Sequence, residues 1–308
     1  MAKVTTPAME KIAQAKAKRA KRSGGKERKR SMTGEVLHRM GYNTLAMVGL
    51  GIFALLLLCA LFPQFIAPEG FDDQNYARAF VAPCLQFPMG TDSVGRDILS
   101  RVIWGARTSL SIGVLSVAFS VVVGGAIGAV AAYYGGRLDN TLMRIMDIFM
   151  AIPSFLLCIA VTAAFGSGFL VIVCAIAIGN VPSYARIVRA EVLTIKDSEF
   201  VEAAWSIGAG DMRITMKHLI PNCLSPIIVQ ATMGVAGAIL SAAGLSFMGL
   251  GIQPPTPEWG YMLNAGKQYI RDAWWIVTFP GVTIMAAIFS LNLLGDGLRD
   301  ALDPKLKR

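Results

Sequence analysis

The sequence predicts an all-α polytopic membrane protein with six transmembrane helices. Three observations carry this. First, five stretches contain no Asp, Glu, Lys or Arg: Thr44–Pro68, Thr108–Gly136, Ile148–Ala185, His218–Pro257 and Ala273–Gly295. A helix needs about 20 apolar residues to cross ~30 Å of hydrocarbon, and a soluble domain does not collect five such runs. Second, the runs too long for one crossing contain turn signals. Third, charge is segregated between the two sets of connecting segments.

Residues 1–40 form a basic tail. Residues 1–39 hold twelve Lys/Arg and three Glu, a surplus equal to the whole net charge of +9. Beside a first span, such a tail points to a cytoplasmic end drawn to anionic lipid headgroups rather than to nucleic acid. Its few large apolar residues predict a disordered or loosely helical segment. Residues 41–67 hold the first span, about 44–66, long enough to remain as an uncleaved anchor. Residues 68–107 form a long polar loop.

Residues 108–298 form the core. Its second span covers about 108–133. Ile148–Ala185 divides at "FGSG" (Phe165–Gly168) into spans at about 144–165 and 168–188. His218–Pro257 gives one helix, about 223–247, with Pro221 at its start and "GLGIQPPTP" (Gly249–Pro257) forbidding helix beyond it. The last span covers about 274–296, and residues 299–308 form a second tail. Arg137, Arg144, Arg186, Arg189, Lys196, Arg213 and Lys217 fall on the side of the N-terminus. The positive-inside rule therefore predicts both termini and residues 190–221 in the cytoplasm, with Cys84 outside.

Between two of these spans lies "EAAWSIGAGDMRITMKHLIP" (Glu202–Pro221). Asp197 or Ser198 is suited to cap a helix whose first turns hold Glu199 and Glu202. Phe200, Ala203, Ala204 and Ile207 recur at helical spacing as one apolar stripe. Gly208 and Gly210 break the helix and let the backbone turn sharply. The result is a short helical hairpin. It either lies on lipid headgroups as an amphipathic element or presents a shallow Ala203/Ala204 face to another protein.

The spacing favours the second reading. Glu202, Ala203, Ala204, Gly208 and Pro221 resemble the "EAA" loop of ABC importer permeases, with His218 opening the four-residue block that ends in Pro221. "MGTDSVGRDILSRVIWGARTSL" (Met89–Leu110), "YYGGRLDNTLMRIMDIFMAIPSFLL" (Tyr133–Leu157), "GLGIQPPTPEWGYML" (Gly249–Leu263) and "WWIVTFPGVTI" with "NLLGDGLRDALDP" (Trp274–Pro304) are similar to the C-type permease subunit of dipeptide/oligopeptide importers. The resemblance runs from about residue 35 to the end. Within the "EAA" loop Ile220 stands where leucine is common and His218 where isoleucine often is, while His218-Leu219-Ile220-Pro221-Asn222 is typical of the peptide branch.

The resemblance implies a type I ABC importer permease fold in the cell (inner) membrane. It also implies a heterodimer with a homologous permease chain and an extracytoplasmic solute-binding protein. Two cytoplasmic ATPase subunits would hold the ATP and Mg and dock on the loop around Glu202. No cofactor is expected on this chain. Specificity in the family rests largely on the binding protein, so nickel or another small solute stays open as cargo. A non-transporting scaffold is the alternative of another class, and it leaves the "EAA" spacing unexplained.

The residues themselves exclude other chemistry. The string nearest a phosphate-binding loop, "GYMLNAGKQ", spaces Gly260 and Gly266 one residue too far apart and ends on Gln268. The two histidines, His38 and His218, give neither a metalloprotease signature nor a hydrolase triad. Five cysteines without a C-x-x-C indicate neither a disulfide framework nor a zinc site, so no catalytic or metal-ligating residue is expected. Asn180, Gln230 and Asn292 are the candidate lining of a translocation path, or else bind helices together. The glycines near Gly124–Ala129 and Gly234–Gly244 suit close packing or a flexible gate. "GTDSVGRD" (Gly90–Asp97) reads as a structured loop, with Asp92 or Ser93 capping the helix that follows, or as part of an outer gate.

Overall fold

The computed structural model describes residue 38 and residues 40–302. The expectations for the basic tail and for residues 303–308 lie outside the described residues. Within them the chain is helical apart from turns and loops, and its β-structure is one isolated bridge between Thr91 and Asp97.

Helix α1 (Thr44–Leu61) starts where Asn43 accepts hydrogen bonds from the amides of Leu45 and Ala46. A single turn, α2 (Pro63–Ile66), completes the expected first span. Helix α3 (Ile98–Tyr134) has 37 residues; it begins ten residues before the apolar span expected from 108 and a few residues after the caps expected at Asp92 or Ser93. The absence of charge was a misleading boundary, because two arginines sit inside the helix with partners. Arg107 donates to the carbonyls of Ala60 and Leu61, satisfying groups left open at the end of α1. Arg101, 2% exposed, donates to the Phe71 carbonyl at 3.0 Å. The cap is Asp97, whose carboxylate accepts from the Ser100 amide at 2.8 Å. Asp92, one of the two expected caps, instead accepts from the amides of Val94 and Arg96 and pairs with the Arg96 guanidinium at 2.7 Å.

The expected third span, 144–165, is not one helix. Helices α4 (Gly136–Ala151) and α5 (Ser154–Phe165) meet at 83°. Pro153 is the cause: its ring disfavours the helical region for the residue before it, and Ile152 is extended at φ −93°, ψ 125°. Five helices are each long and apolar enough to cross a membrane, and the bent pair makes a sixth if counted as one span.

Helix α6 (Phe169–Ile195) leads into two short helices, α7 (Glu199–Ser206) and α8 (Asp211–Ile214). A π-turn, Thr215–Leu219, joins α8 to α9 (Ile220–Phe247). The helix therefore passes through Pro221 rather than starting after it. The Ile220 amide reaches back five residues to the Thr215 carbonyl, and this widened turn lies just before the proline that has no N–H to give. Helix α10 (Trp259–Gly266) is capped by Glu258, and α11 (Trp275–Leu302) closes the bundle.

The centre is built by α3 lying along α6. A Cβ on Gly124 would stand 2.5 Å from the Val181 carbonyl oxygen, and one on Gly128 would overlap the Ala185 carbonyl. Glycine is what permits this approach, so these two positions serve packing. The Ser120 hydroxyl donates to the Ala177 carbonyl at 3.0 Å across the same seam. α1 packs on α11, where Gly297 faces Ala46 and Gly49 faces Ser290 and Leu293. Large apolar side chains such as Leu45, Leu55, Leu58 and Val122 point outward from the bundle.

Candidate functional site

Helices α7 and α8, with the π-turn, form a hairpin at the end of the bundle where α3 finishes. Ser198 occupies the cap position of α7, but its hydroxyl donates to the Ile195 carbonyl at 2.6 Å instead of receiving an α7 amide. The expected side-chain cap from Asp197 or Ser198 is thus not made. Glu199 and Glu202 stand in the first turn, where the helix dipole favours them.

The turn is a Schellman motif. Gly208 has φ 80°, its amide donates to the Trp205 carbonyl at 2.9 Å, and the Ala209 amide donates to Ala204 at 3.1 Å. Nothing lies within 4 Å of where a Gly208 Cβ would stand, so glycine is required by the dihedral and not by space.

The apolar stripe expected on one face is divided. Val201 and Ala204 are buried with Ile214 and Leu219, against Ala129 and Ala132 of α3 and Val188 and Val192 of α6. Phe200, Ala203 and Ile207 point away from the bundle. Ala204 therefore seats the hairpin on its own chain, and the Ala203/Ala204 face anticipated for a partner does not exist as a unit. The outward side instead carries Phe200, Trp205, Ile207, Met212 and Met216. Trp205 is 70% exposed and Ile207 85%. Glu202 is exposed beside them. His218 is half-buried in the π-turn and its carbonyl accepts from the Asn222 amide group at 2.6 Å, while Pro221 is exposed.

Several polar contacts fix the hairpin and its surroundings. The Tyr133 hydroxyl donates to Asp211 Oδ1 at 2.8 Å and that of Tyr134 to Oδ2 at 3.3 Å. Lys196 Nζ donates to the Ala132 carbonyl at 3.4 Å. Arg189 grips Asp139 with two hydrogen bonds of 2.6 and 2.7 Å, and Arg186 pairs with Asp147 at 2.5 Å, fastening α4 to α6. Sequence reasoning counted these arginines for topology and missed their partners. The available signal was the pair of aspartates on the polar face of α4.

Asn180, Gln230 and Asn292 lie on α6, α9 and α11, each half-buried. Among the described residues none of the three side chains makes a hydrogen bond. The string rejected as a phosphate loop lies on α10 and the short turn Lys267–Tyr269, with no strand before it.

At the opposite end, Arg96 ties Asp92 to Asp72, and Gln74 and Arg96 together hold the Asp72 carboxyl below the usual carboxylate range. Glu258 is 1% exposed there. Its carboxylate accepts from the amides of Gly260 and Tyr261 at 3.0 and 2.8 Å and from the Ser109 hydroxyl at 3.2 Å. Burial still pushes this carboxyl above its ordinary range, because its partners are all uncharged. The Trp259 indole donates to the Val102 carbonyl at 2.9 Å, so α10 is locked to α3.

Residues 122–308 match the model of the binding-protein-dependent transport system inner membrane component, and residues 31–86 match that of the N-terminal TM domain of oligopeptide transport permease C. A di/tripeptide transport system permease protein of Pseudomonas aeruginosa is 45% identical over 89% of this chain and 92% of its own. A dipeptide transport system permease protein of Alkalihalophilus pseudofirmus is 44% identical over 89% and 90%. A glutathione transport system permease protein of Escherichia coli is 44% identical over the same shares, 89% and 90%. Among solved structures, the inward-facing MetNI methionine ABC transporter aligns with a TM-score of 0.54 at 20% identity, covering 66% of this chain and 97% of the other, a likeness of fold. The fold is that of a type I ABC importer permease, and this multi-pass membrane chain belongs to the family of binding-protein-dependent transport system inner membrane components.

Proposed function

We propose that this chain is one permease subunit of an ABC importer for di- and tripeptides, forming half of the translocation path and coupling it to ATPase subunits. The observation that carries this reading is the hairpin. An apolar outward face of Phe200, Trp205, Ile207, Met212 and Met216 stands on a short turn braced against α3 and α6. Such a patch at a polar end of the bundle suits burial against a protein groove. The names of the relatives point to small peptides as cargo.

In this reading the hairpin lies in the cytoplasm with both termini, as the clustering of Lys/Arg at that end favours. Glu202, Ala203, Gly208, His218 and Pro221 shape the docking element, and Ala204 anchors it from beneath. Two ATPase chains bind ATP and Mg, a homologous permease chain completes the path, and a solute-binding protein delivers cargo from the other side. Nucleotide-driven closure of the ATPases moves the hairpin and the helices that carry it, alternating access between the two sides. Asn180, Gln230 and Asn292 are the proposed polar lining.

Co-purification from detergent tests the assembly: ATPase chains and a sister permease should accompany this chain in fixed ratio. Reconstituted with its binding protein, the complex should import labelled dialanine only with ATP. A chain that purifies alone from membranes holding those partners would refute the proposal. For topology, Lys196→Cys should resist a membrane-impermeant thiol reagent added outside intact cells, while Cys84 reacts.

A further inference from the structure

Three helices converge on the hairpin, and two of them are covalently continuous with it. α6 enters it at Ile195, and α9 leaves it at Ile220. α3 ends beside it at Tyr134 and turns away through Gly135 (φ 66°) and Gly136 (φ 57°) into α4. Movement of the hairpin therefore reaches α3 directly through side-chain contacts alone.

Those contacts are of two kinds. Ala129 and Ala132 of α3 share a buried apolar seat with Val201, Ala204 and Ile214. Apolar burial is non-directional and sets no particular register between the two elements. The polar contacts are directional. Tyr133 and Tyr134, adjacent on the last turn of α3, send their hydroxyls to the two oxygens of one carboxylate, Asp211, the first residue of α8. Hydrogen bonds to a charged acceptor are the stronger class. The two rings stand edge to face with centroids 5.2 Å apart, which fixes the fork.

We propose that Asp211, Tyr133 and Tyr134 form a positioning clamp that passes the hairpin's movement to α3, and that α3 carries it to the far end of the bundle. The proposal rests on reading the hairpin as the element that docks ATPase chains. α3 is suited to the task. Its 37 residues reach about 55 Å at 1.5 Å each, and no proline interrupts them. α6, α9 and α11 contain Pro182, Pro226 and Pro280, each of which weakens the helix as a rod. At its far end α3 is tied to the start of α10 by Trp259 on the Val102 carbonyl and to the cap of that helix by Ser109 on Glu258. A shift entering at Tyr133 thus arrives at the segment around Glu258.

The test uses the complete importer, with wild-type sister permease and ATPase chains, in proteoliposomes. The Tyr133→Phe/Tyr134→Phe variant removes two hydroxyls and keeps both rings. Its ATPase chains should stay bound and hydrolyse ATP, while dialanine imported per ATP falls about tenfold, the effect of losing charge-assisted hydrogen bonds of ordinary strength. Asp211→Ala should give a similar loss. Adding the tyrosine changes to it should cost nothing more, since members of one network are not additive. Unchanged import per ATP in the tyrosine variant would overturn the clamp, as would fully additive losses. Loss of ATPase association by the tyrosine variant at equal membrane level would overturn it too, by placing these residues in docking. Failure of the wild-type chain to hold ATPase chains would instead defeat the underlying reading before any tyrosine is changed.

Discussion

Replacing Gly208 by valine strains one backbone dihedral and leaves the space around it free. The residue sits at φ 80°, and a Cβ there meets no atom within 4 Å. The cost is therefore conformational, on the order of 1–3 kcal/mol for a branched residue held in the left-handed region. Relief requires φ to turn negative, which breaks the 2.9 Å and 3.1 Å hydrogen bonds that close the turn onto Trp205 and Ala204. Each decade of equilibrium constant is ~1.4 kcal/mol, so a correctly shaped hairpin should become roughly 5- to 150-fold rarer relative to distorted forms. The spans are untouched, and insertion and pairing with a sister permease should persist. At equal membrane level, pull-down of ATPase chains and ATP-dependent dialanine uptake should both fall to a small fraction of wild type. Gly208→Asn separates dihedral from side chain, because asparagine tolerates this region, and it should keep most of both activities. Retention of both by Gly208→Val would refute the reasoning, since the turn would then not determine what docks there.

The exposed face makes a second prediction: Trp205→Ala should weaken ATPase association by about 2 kcal/mol or more if the indole is a buried anchor in the complex, read as the loss of pull-down at fixed ATPase concentration. Ala204→Leu should act differently, lowering the amount of folded chain in the membrane, because overpacking the seat on α3 costs about 1–3 kcal/mol. Glu258 predicts a pH dependence. Burial raises its folded pKa above the unfolded carboxylate value of about 4.3, so its contribution is fully present below that value and is lost as pH rises through the folded pKa. Thermal melts in detergent should show wild type losing stability over that interval, with Glu258→Gln lacking this part of the slope. Deleting residues 1–30 should leave uptake largely intact, since lipid attraction of roughly 1 kcal/mol per nearby charge adds to an anchor that α1 already provides.

Misreadings of the sequence fall where two local signals competed. Pro153 lies inside the expected third span, in a run that is free of charge from Ile148 onward; the structure obeys the proline and bends by 83°. The charge-free run from Thr108 understates α3, whose first ten residues hold Arg101 and Arg107. They are accommodated by the carbonyls of Phe71, Ala60 and Leu61, which lie 30 to 47 residues away in the chain.

The chain alone determined the apolar runs and the sharp turn at Gly208. Each depends on residues within a few positions: hydrocarbon selects for apolar length, and a left-handed dihedral selects for glycine. Which side of α7 faces inward was decided elsewhere. Phe200, Val201, Ala203, Ala204 and Ile207 offer two overlapping apolar stripes, and local periodicity has no means to choose between them. The choice came from the shallow seat that Ala129 and Ala132 of α3 make with Val188 and Val192 of α6. The same holds for Arg189 with Asp139, 50 positions apart, and for the tyrosines of α3 with Asp211, 77 and 78 positions away. Such pairs exist because packed helices bring them within 3.3 Å or less, and no local pattern encodes that distance.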